Sequence, residues 1–143
     1  MTSNYKILDH TADIALELSG NTYEELFLAG YEGWKNSVIE ASVSSREAEE
    51  RKLELSENTI EELLVSFLQE LSFLFESKKI FAVEVNEIQI EKRDEKFFLK
   101  SDLYFGNIIA DDIIKNEIKA VTFHQLNVKK VNDVFRTIIV FDI

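Results

Sequence analysis

Residues 58–76, with the sequence NTIEELLVSFLQELSFLFE, dominate the pattern of this chain. Apolar side chains recur there every three or four residues, which places them along one side of an α-helix. Asn58 and Glu61 have the spacing of a capping box, so we predict a helix from this point to about Glu76. A stripe this wide has to be buried against other elements. Its members are Ile60, Leu63, Leu64, Phe67, Leu68, Leu71, Leu74 and Phe75.

A second amphipathic helix is predicted earlier in the chain. Asn21 and Glu24 repeat the capping spacing, and this helix should reach about Ile39. Gly30 lies in the middle of its apolar arc, where the missing side chain would let the backbone approach a sheet closely despite a propensity cost of about 1 kcal/mol. The arc consists of Tyr23, Leu26, Phe27, Trp34 and Val38.

Much of the remaining chain alternates between apolar and polar residues, as β-strands do. Residues 93–96 and 132–133 are rich in turn formers and predict two hairpins. Residues 138–141 are apolar on both faces, so the final strand should lie inside a sheet. The predicted strands are 5–8, 14–18, 46–55, 80–92, 97–105, 118–131 and 134–142.

These elements predict an α+β fold, a single compact domain over residues 1–143 in which two amphipathic helices pack on a mixed or antiparallel sheet. A chain of 143 residues can bury about two thirds of its extended surface. No apolar run approaches the ~20 residues that span a bilayer, so no membrane association is expected. The absence of cysteine excludes disulfides and thiolate metal sites, and the polar amino terminus lacks a signal-peptide pattern. We therefore expect a cytoplasmic protein.

The net charge constrains the partners. Sixteen Lys and Arg against 27 Asp and Glu give −11 at neutral pH. This sign opposes strong direct binding to nucleic acid, which depends on neutralising phosphates. It is compatible with a basic protein partner, with the collection of divalent cations, or with solubility alone.

Three separate stretches carry hydrogen-bonding and ionisable residues inside β-like sequence. The first is His10-Thr11-Ala12-Asp13. Thr11 or Asp13 could simply bond neighbouring backbone in a turn. Alternatively, Asp13 is an oxygen ligand for a hard cation such as Ca²⁺ or Mg²⁺. Only a second acid that converges on Asp13 would decide between these interpretations.

The second stretch, Phe141-Asp142-Ile143, offers that acid. Asp142 is either a solvated strand end or a carboxylate that a rigid strand delivers to a defined place. The free carboxylate of Ile143, the last residue of the sequence, would add a negative group beside it. Like charges at this range are unfavourable unless a cation joins them. A frayed terminus is the alternative.

The third stretch is Glu117 to His124. Lys119 is an ordinary snorkelling lysine, or a cation that holds a phosphate or balances an acidic site. His124 is a satisfied sheet histidine or a proton carrier near neutral pH. On the long helix, Glu70 borders the apolar stripe and is either solvated or partly buried with a partner.

No motif for catalysis accompanies these residues. The sequence has no Ser-His-Asp order, phosphate-binding glycine loop, dinucleotide fingerprint or zinc spacing. We therefore predict a protein that is not itself an enzyme.

Taken together, the three stretches resemble the archease family in order and spacing over essentially the whole chain. The long helix adds the pair Glu70-Leu71, although Phe67-Leu68-Gln69 replaces the Trp-containing stretch that is more typical of the family before this pair. The resemblance implies a compact α+β domain that serves an RtcB-type RNA ligase, the GTP-dependent enzyme that joins tRNA exon halves. It also implies a metal site at Asp13, Asp142 and Ile143, for Ca²⁺, Mg²⁺ or Mn²⁺.

Further functional positions implied by the resemblance are Lys119 and Glu70, with His10 and His124 as candidates within the shared motifs. GTP would be involved through the ligase. The alternative is a metal-dependent hydrolase or a chaperone-like binding module that uses the same acidic residues.

Overall fold

A computed structural model describes residues 3–8, 13–40, 49–107, 114–122 and 126–143. The predicted fold class is confirmed, with two helices and eight strands in these ranges. The helices are α1 (Tyr23–Val38) and α2 (Ile60–Lys78). The strands are β1 (Asn4–Leu8), β2 (Asp13–Gly20), β3 (Glu49–Glu57), β4 (Ile80–Arg93), β5 (Lys96–Asn107), β6 (Ala120–Thr122), β7 (Lys129–Val131) and β8 (Val134–Asp142).

Both helices are capped one residue later than predicted. Threonines, not the asparagines that precede them, are the N-caps. The Thr22 hydroxyl accepts from the main-chain N–H of Glu25 at 3.1 Å, and the Thr59 hydroxyl accepts from that of Glu62 at 3.0 Å. Each threonine has extended backbone angles and a glutamate three residues later, so the capping-box spacing is present but shifted by one position. Glu25 accepts from the main-chain N–H of Asn21, and Glu62 accepts from the hydroxyl of Thr59.

The strands divide between two antiparallel sheets. In the larger sheet the order is β1-β2-β8-β6, and β7 also pairs with β8. The smaller sheet has the order β3-β5-β4. Because β8 has β2 on one side and both β6 and β7 on the other, the prediction of an internal final strand is confirmed.

The prediction of one strand over residues 118–131 is wrong. Two short strands, β6 and β7, pair with opposite ends of β8. Between β6 and β7, side chains form hydrogen bonds with main-chain groups that a continuous strand would pair with its neighbouring strand. The Thr137 hydroxyl donates to the carbonyl of Asn127 at 3.0 Å, and the main-chain N–H of Val128 donates to Glu61 at 2.9 Å.

Both predicted hairpin turns are confirmed. Asp94 and Glu95 have φ of 51° and 66°, and Asn132 and Asp133 have φ of 53° and 64°. Two central residues with positive φ match the right-handed twist of the flanking strands, which explains why short polar residues occupy three of these four positions.

A continuous apolar core joins the helices to both sheets. Trp34 stacks on Phe81 with ring centroids 4.9 Å apart and donates through Nε1 to the Ser72 hydroxyl at 2.8 Å. The Tyr31 hydroxyl donates to the carbonyl of Ala82 at 2.8 Å, and burial raises the pKa of Tyr31 above its ordinary value. These satisfied polar atoms allow large aromatic side chains to be fully buried. In the described ranges, no helix has the length and apolar character needed to cross a membrane.

Of the two buried glycines Gly30 and Gly33 of α1, Gly33 lies closer to its neighbours in the core. A Cβ on Gly33 would lie 2.6 Å from Cδ1 of Leu16, whereas a Cβ on Gly30 would lie 3.4 Å from its nearest neighbours, an ordinary contact. The missing side chain of Gly33 therefore leaves room for Leu16 of β2 to pack against α1.

We expect Gly33→Ala to lower the free energy of unfolding by about 1–3 kcal/mol, because the added methyl overpacks a buried contact. Gly30→Ala is the matched control and should change stability by no more than about 1 kcal/mol, since a gain in helix propensity offsets tight packing. Urea unfolding of both variants measures the difference. Equal stability of the two variants would contradict the assignment.

Candidate functional site

The two acids singled out in the sequence are direct cross-strand partners. Asp13 begins β2 and Asp142 ends β8, and the antiparallel register places them opposite each other. Such partners project from the same face of a sheet with Cβ atoms about 5 Å apart. Asp13 is partly buried and Asp142 is exposed. The fold therefore brings a second acid, Asp142, opposite Asp13, which the sequence alone did not establish.

The core determines which face these acids occupy. The next pair in the register is Ile14 and Phe141, and Phe141 is fully buried in the core. Because alternate residues face opposite sides of a strand, Asp13 and Asp142 project away from the helices. A slip of one residue would bury the acids and expose Phe141, so the core itself maintains the position of the pair.

On its other side, Asp142 faces Ala120 of β6. Ala120 contributes only a methyl group to this face. Of the three residues in this row, only the two acids can bind a metal ion, and both would do so through carboxylate oxygen.

Two like charges directly opposite on a sheet repel each other. Within the described ranges, no Lys or Arg forms an ion pair with Asp13 or Asp142. Carboxylate oxygens are the ligands that Ca²⁺ and Mg²⁺ prefer, and the acid pair fits such a cation.

Two carboxylates do not complete a coordination shell. No group of three or more His, Cys, Asp or Glu side chains is arranged to hold a metal in the part of the chain that the structure describes. Additional oxygens would have to come from main chain, hydroxyls or water. Ile143 follows Asp142 directly and is exposed.

Lys119 is anchored beside Asp142 through its backbone. Its main-chain N–H donates to the carbonyl of Asp142 at 2.8 Å, and its side chain is exposed. Sequence alternation predicted a strand from residue 118, but β6 begins at Ala120, and Ile118 and Val121 are both buried. Lys119 therefore precedes β6, and the prediction that the strand starts at residue 118 is wrong, although the backbone of Lys119 is bonded to Asp142.

Glu70 is partly buried on α2, in agreement with its predicted border position. The structure links this part of α2 to β6 through the preceding residue, since Oε1 of Gln69 accepts from the main-chain N–H of Val121 at 3.0 Å. Sequence reasoning noted Gln69 only as a departure from the family. His10 and His124 lie outside the described residues, so their predicted roles stay predictions.

Gln69 should stabilise β6. We expect Gln69→Met to lower the free energy of unfolding by about 1–2 kcal/mol and to speed amide exchange at Val121, because a partly buried N–H loses its acceptor. Gln89→Met, on an exposed position of β4, should change stability by less than about 0.5 kcal/mol. Unchanged exchange at Val121 in the Gln69 variant would show that the bond is dispensable.

Thr122 is a residue that sequence reasoning missed as a site candidate. Its Oγ1 is buried, and it is the one buried side-chain N or O atom without a hydrogen-bond partner in the described ranges. Thr122 follows Ala120 by two positions on β6, so it projects from the same face as the acids. A sequence pattern gives no sign of this, because the missing partner is a tertiary property.

The acid pair is separate from a cavity of about 590 Å³ elsewhere in the molecule. That cavity lies between the ends of both helices and the segment 114–118. Its lining includes Phe75, Glu76 and Ile114 but neither Asp13 nor Asp142. The size of a cavity does not by itself indicate a function, whereas the two carboxylates have the chemistry of a cation site.

This fold and this site define a class of protein. Its members are small α+β proteins with a surface pair of carboxylates suited to a hard cation. Residues 5–143 match the model of the Archease protein family (MTH1598/TM1083). The chain therefore belongs to the archease family.

Individual relatives agree with this family over nearly their whole length. The chain is 31% identical over 140 residues to protein archease of Methanosarcina barkeri, covering 97% of this chain and 95% of the relative. It is 30% identical over 139 residues to protein archease of Archaeoglobus fulgidus, covering 97% and 98%.

Solved structures show the same fold. Protein 1598 of Methanobacterium thermoautotrophicum aligns with a TM-score of 0.79 at 24% identity, covering 98% of this chain and 99% of that one. A Thermotoga maritima protein described as an archease and possible chaperone aligns with a TM-score of 0.59 at 27% identity, covering 96% of both chains. These names give a family and a possible chaperone role, and none of them names an enzyme.

Proposed function

We propose that this protein is an accessory factor that activates an RtcB-type RNA ligase in tRNA splicing and RNA repair. It would promote guanylylation of the ligase, and hence multiple turnover, with the help of a bound divalent cation. Membership of the archease family supports an accessory role. A net charge of −11 suits contact with a basic protein surface.

The pairing of Asp13 with Asp142 is the observation on which this proposal rests. Neither acid would be distinctive alone, since exposed carboxylates are common. Opposed on one face without an ion-pair partner in the described ranges, they favour a shared cation over independent solvation. We propose Ca²⁺ or Mg²⁺, with Mn²⁺ as a further possibility, because all three accept carboxylate oxygen.

Each residue has a defined task in the proposal. Asp13 and Asp142 hold the cation, and Ile143 adds main-chain oxygen. Lys119 presents an ammonium group on the exposed surface. Its backbone is bonded to Asp142, so this group would contact a triphosphate near the acids. When bound, a divalent cation would supply positive charge that helps to position a triphosphate or the metal of the ligase.

The step affected would be nucleotidyl transfer and not RNA binding. The overall negative charge gives the protein little attraction for RNA phosphates. The ligase would accordingly bind GTP, and this protein would act on the ligase in the cytoplasm.

A guanylylation assay of the ligase tests the proposal. The purified ligase is incubated with GTP and a divalent cation, with and without this protein, and covalent GMP on the ligase is followed over time. We expect faster guanylylation and several rounds of ligation per ligase molecule. Stimulation that depends only on RNA binding by this protein would refute the mechanism.

The Thermotoga relative is described as a possible chaperone, and this description supports a second candidate function. In this case the same acidic face would serve a chaperone-like binding module or a metal-dependent hydrolase. Hydrolysis of GTP or RNA by this protein alone would favour the hydrolase. Protection of unrelated proteins from aggregation, without an effect on the ligase, would favour the chaperone-like module.

A further inference from the structure

A second row of residues lies next to the acid pair on the same sheet face. It consists of Thr122, Val140 and Ala15, paired in register across β6, β8 and β2. Thr122 is thus diagonal to Asp142, on the neighbouring strand. Diagonal residues of this kind are about 7–8 Å apart.

Thr122 lacks a bond that a buried hydroxyl normally has. Buried polar side chains are nearly always satisfied by protein or by ordered solvent, and leaving one unsatisfied is unfavourable. The Oγ1 of Thr122 is buried and has no hydrogen-bond partner among the described residues. By contrast, the buried Thr137 on β8 donates to the carbonyl of Asn127 at 3.0 Å. Within the residues that the structure describes, the environment of Thr122 therefore has room for a hydrogen-bonding group that these residues do not provide.

We propose that the Thr122 hydroxyl accepts a hydrogen bond from a water molecule bound to the cation held by Asp13 and Asp142. This inference rests on the proposed cation site. The spacing supports a bridged contact, because a cation–oxygen distance of about 2.0–2.6 Å and a water–hydroxyl distance of about 2.8 Å together cover much of the diagonal. A water that gives its lone pair to a cation is a donor, and Thr122 has an unused acceptor.

Thr122 would consequently be a positioning residue. It orients a ligand water and thereby strengthens cation binding, while Asp13 and Asp142 make the direct bonds. Partners of metal ligands commonly contribute between 10-fold and 100-fold to metal affinity. Thr122 also restricts the position of that water, which favours a cation that keeps part of its hydration shell.

Calorimetric titration of Ca²⁺ alone and of Mg²⁺ alone into the full chain tests this inference. For whichever ion binds the wild type, we expect Thr122→Val to weaken binding about 10-fold and Thr122→Ser to keep affinity within about 2-fold. Valine preserves the shape and strand preference of threonine, whereas serine preserves the hydroxyl. Equal affinity of wild type and Thr122→Val would overturn the inference and leave the cation site intact.

Thermal unfolding provides a readout that a purely structural role would not produce. In excess EDTA, Thr122→Val should melt at the same temperature as wild type or higher, because the unsatisfied hydroxyl is gone. With saturating cation, the variant should melt lower than wild type. Thr137→Val is the control and should lower the melting temperature equally in both conditions. An identical shift for Thr122→Val in both conditions would overturn the inference, and absence of cation binding by wild type would overturn the cation site as well.

Discussion

Asp142→Asn is expected to lower the affinity for Ca²⁺ or Mg²⁺ at least about 100-fold. The substitution keeps the size of the side chain and removes one of the two charges that face each other across β2 and β8. Loss of a single charge–charge interaction near the protein surface is worth several kcal/mol at a separation of about 4 Å, and about 2.7 kcal/mol already corresponds to 100-fold. Calorimetric titration of each cation measures the loss.

Glu17→Gln is the matched control for this substitution. Glu17 is a partly buried acid on the same face of β2 as Asp13, but its partner on β8 is Ile138, not an acid. This variant should bind the cation as tightly as wild type. In EDTA, Asp142→Asn should be slightly more stable than wild type because a repulsive pair is removed. Affinity that is unchanged in Asp142→Asn would eliminate the shared cation site.

Asp13→Ala and Lys119→Ala are expected to abolish stimulation of multiple-turnover ligation by the proposed partner ligase. Asp13 holds half of the acid pair, and the backbone of Lys119 is bonded to Asp142. The fold should persist in both variants, because Asp13 is only partly buried and Lys119 is exposed. Guanylylation and ligation rates, measured with a fixed amount of ligase, give the result.

Two controls separate a site effect from a general loss of charge. Lys129→Ala removes an exposed lysine of β7, which pairs with β8 at Arg136, the end of the strand away from Asp142. Glu17→Gln removes a negative charge from the same face. Both should stimulate the ligase as wild type does. If Asp13→Ala and Lys119→Ala also stimulated normally, the proposed mechanism would have to be abandoned.

Local sequence pattern predicted most of the elements because it reflects contacts between near neighbours. The stripe in α2 identified a buried helical face, and six of its eight members are buried in the core. The short polar turns at 94–95 and 132–133 identified both hairpins. Errors were greatest where a residue obtains its partner from far along the chain. Between β6 and β7 of the strand predicted over 118–131, Glu61 of α2 and Thr137 of β8 supply side-chain bonds to the main chain.

The candidate site shows the same division. Sequence motifs singled out Asp13, Asp142 and Lys119 as residue types suited to cation and phosphate chemistry, and the resemblance grouped the acids. Only the register of β2 with β8 placed the acids opposite each other, and only the burial of Phe141 directed them to the face away from the helices. The missing partner of Thr122 and the close approach of Gly33 could not be predicted from either stretch.

By itself, the sequence determined the helices, the hairpins, the absence of cysteine chemistry and the acidic character of this protein. These features depend on composition and on spacings of two to four residues, which any short segment already contains. The tertiary structure alone decided which acids meet, which face they share and which hydroxyl is left unsatisfied. The physical reason is that strand register and burial are fixed by packing of the whole core, so residues at opposite ends of the chain acquire a common chemistry only once it has folded.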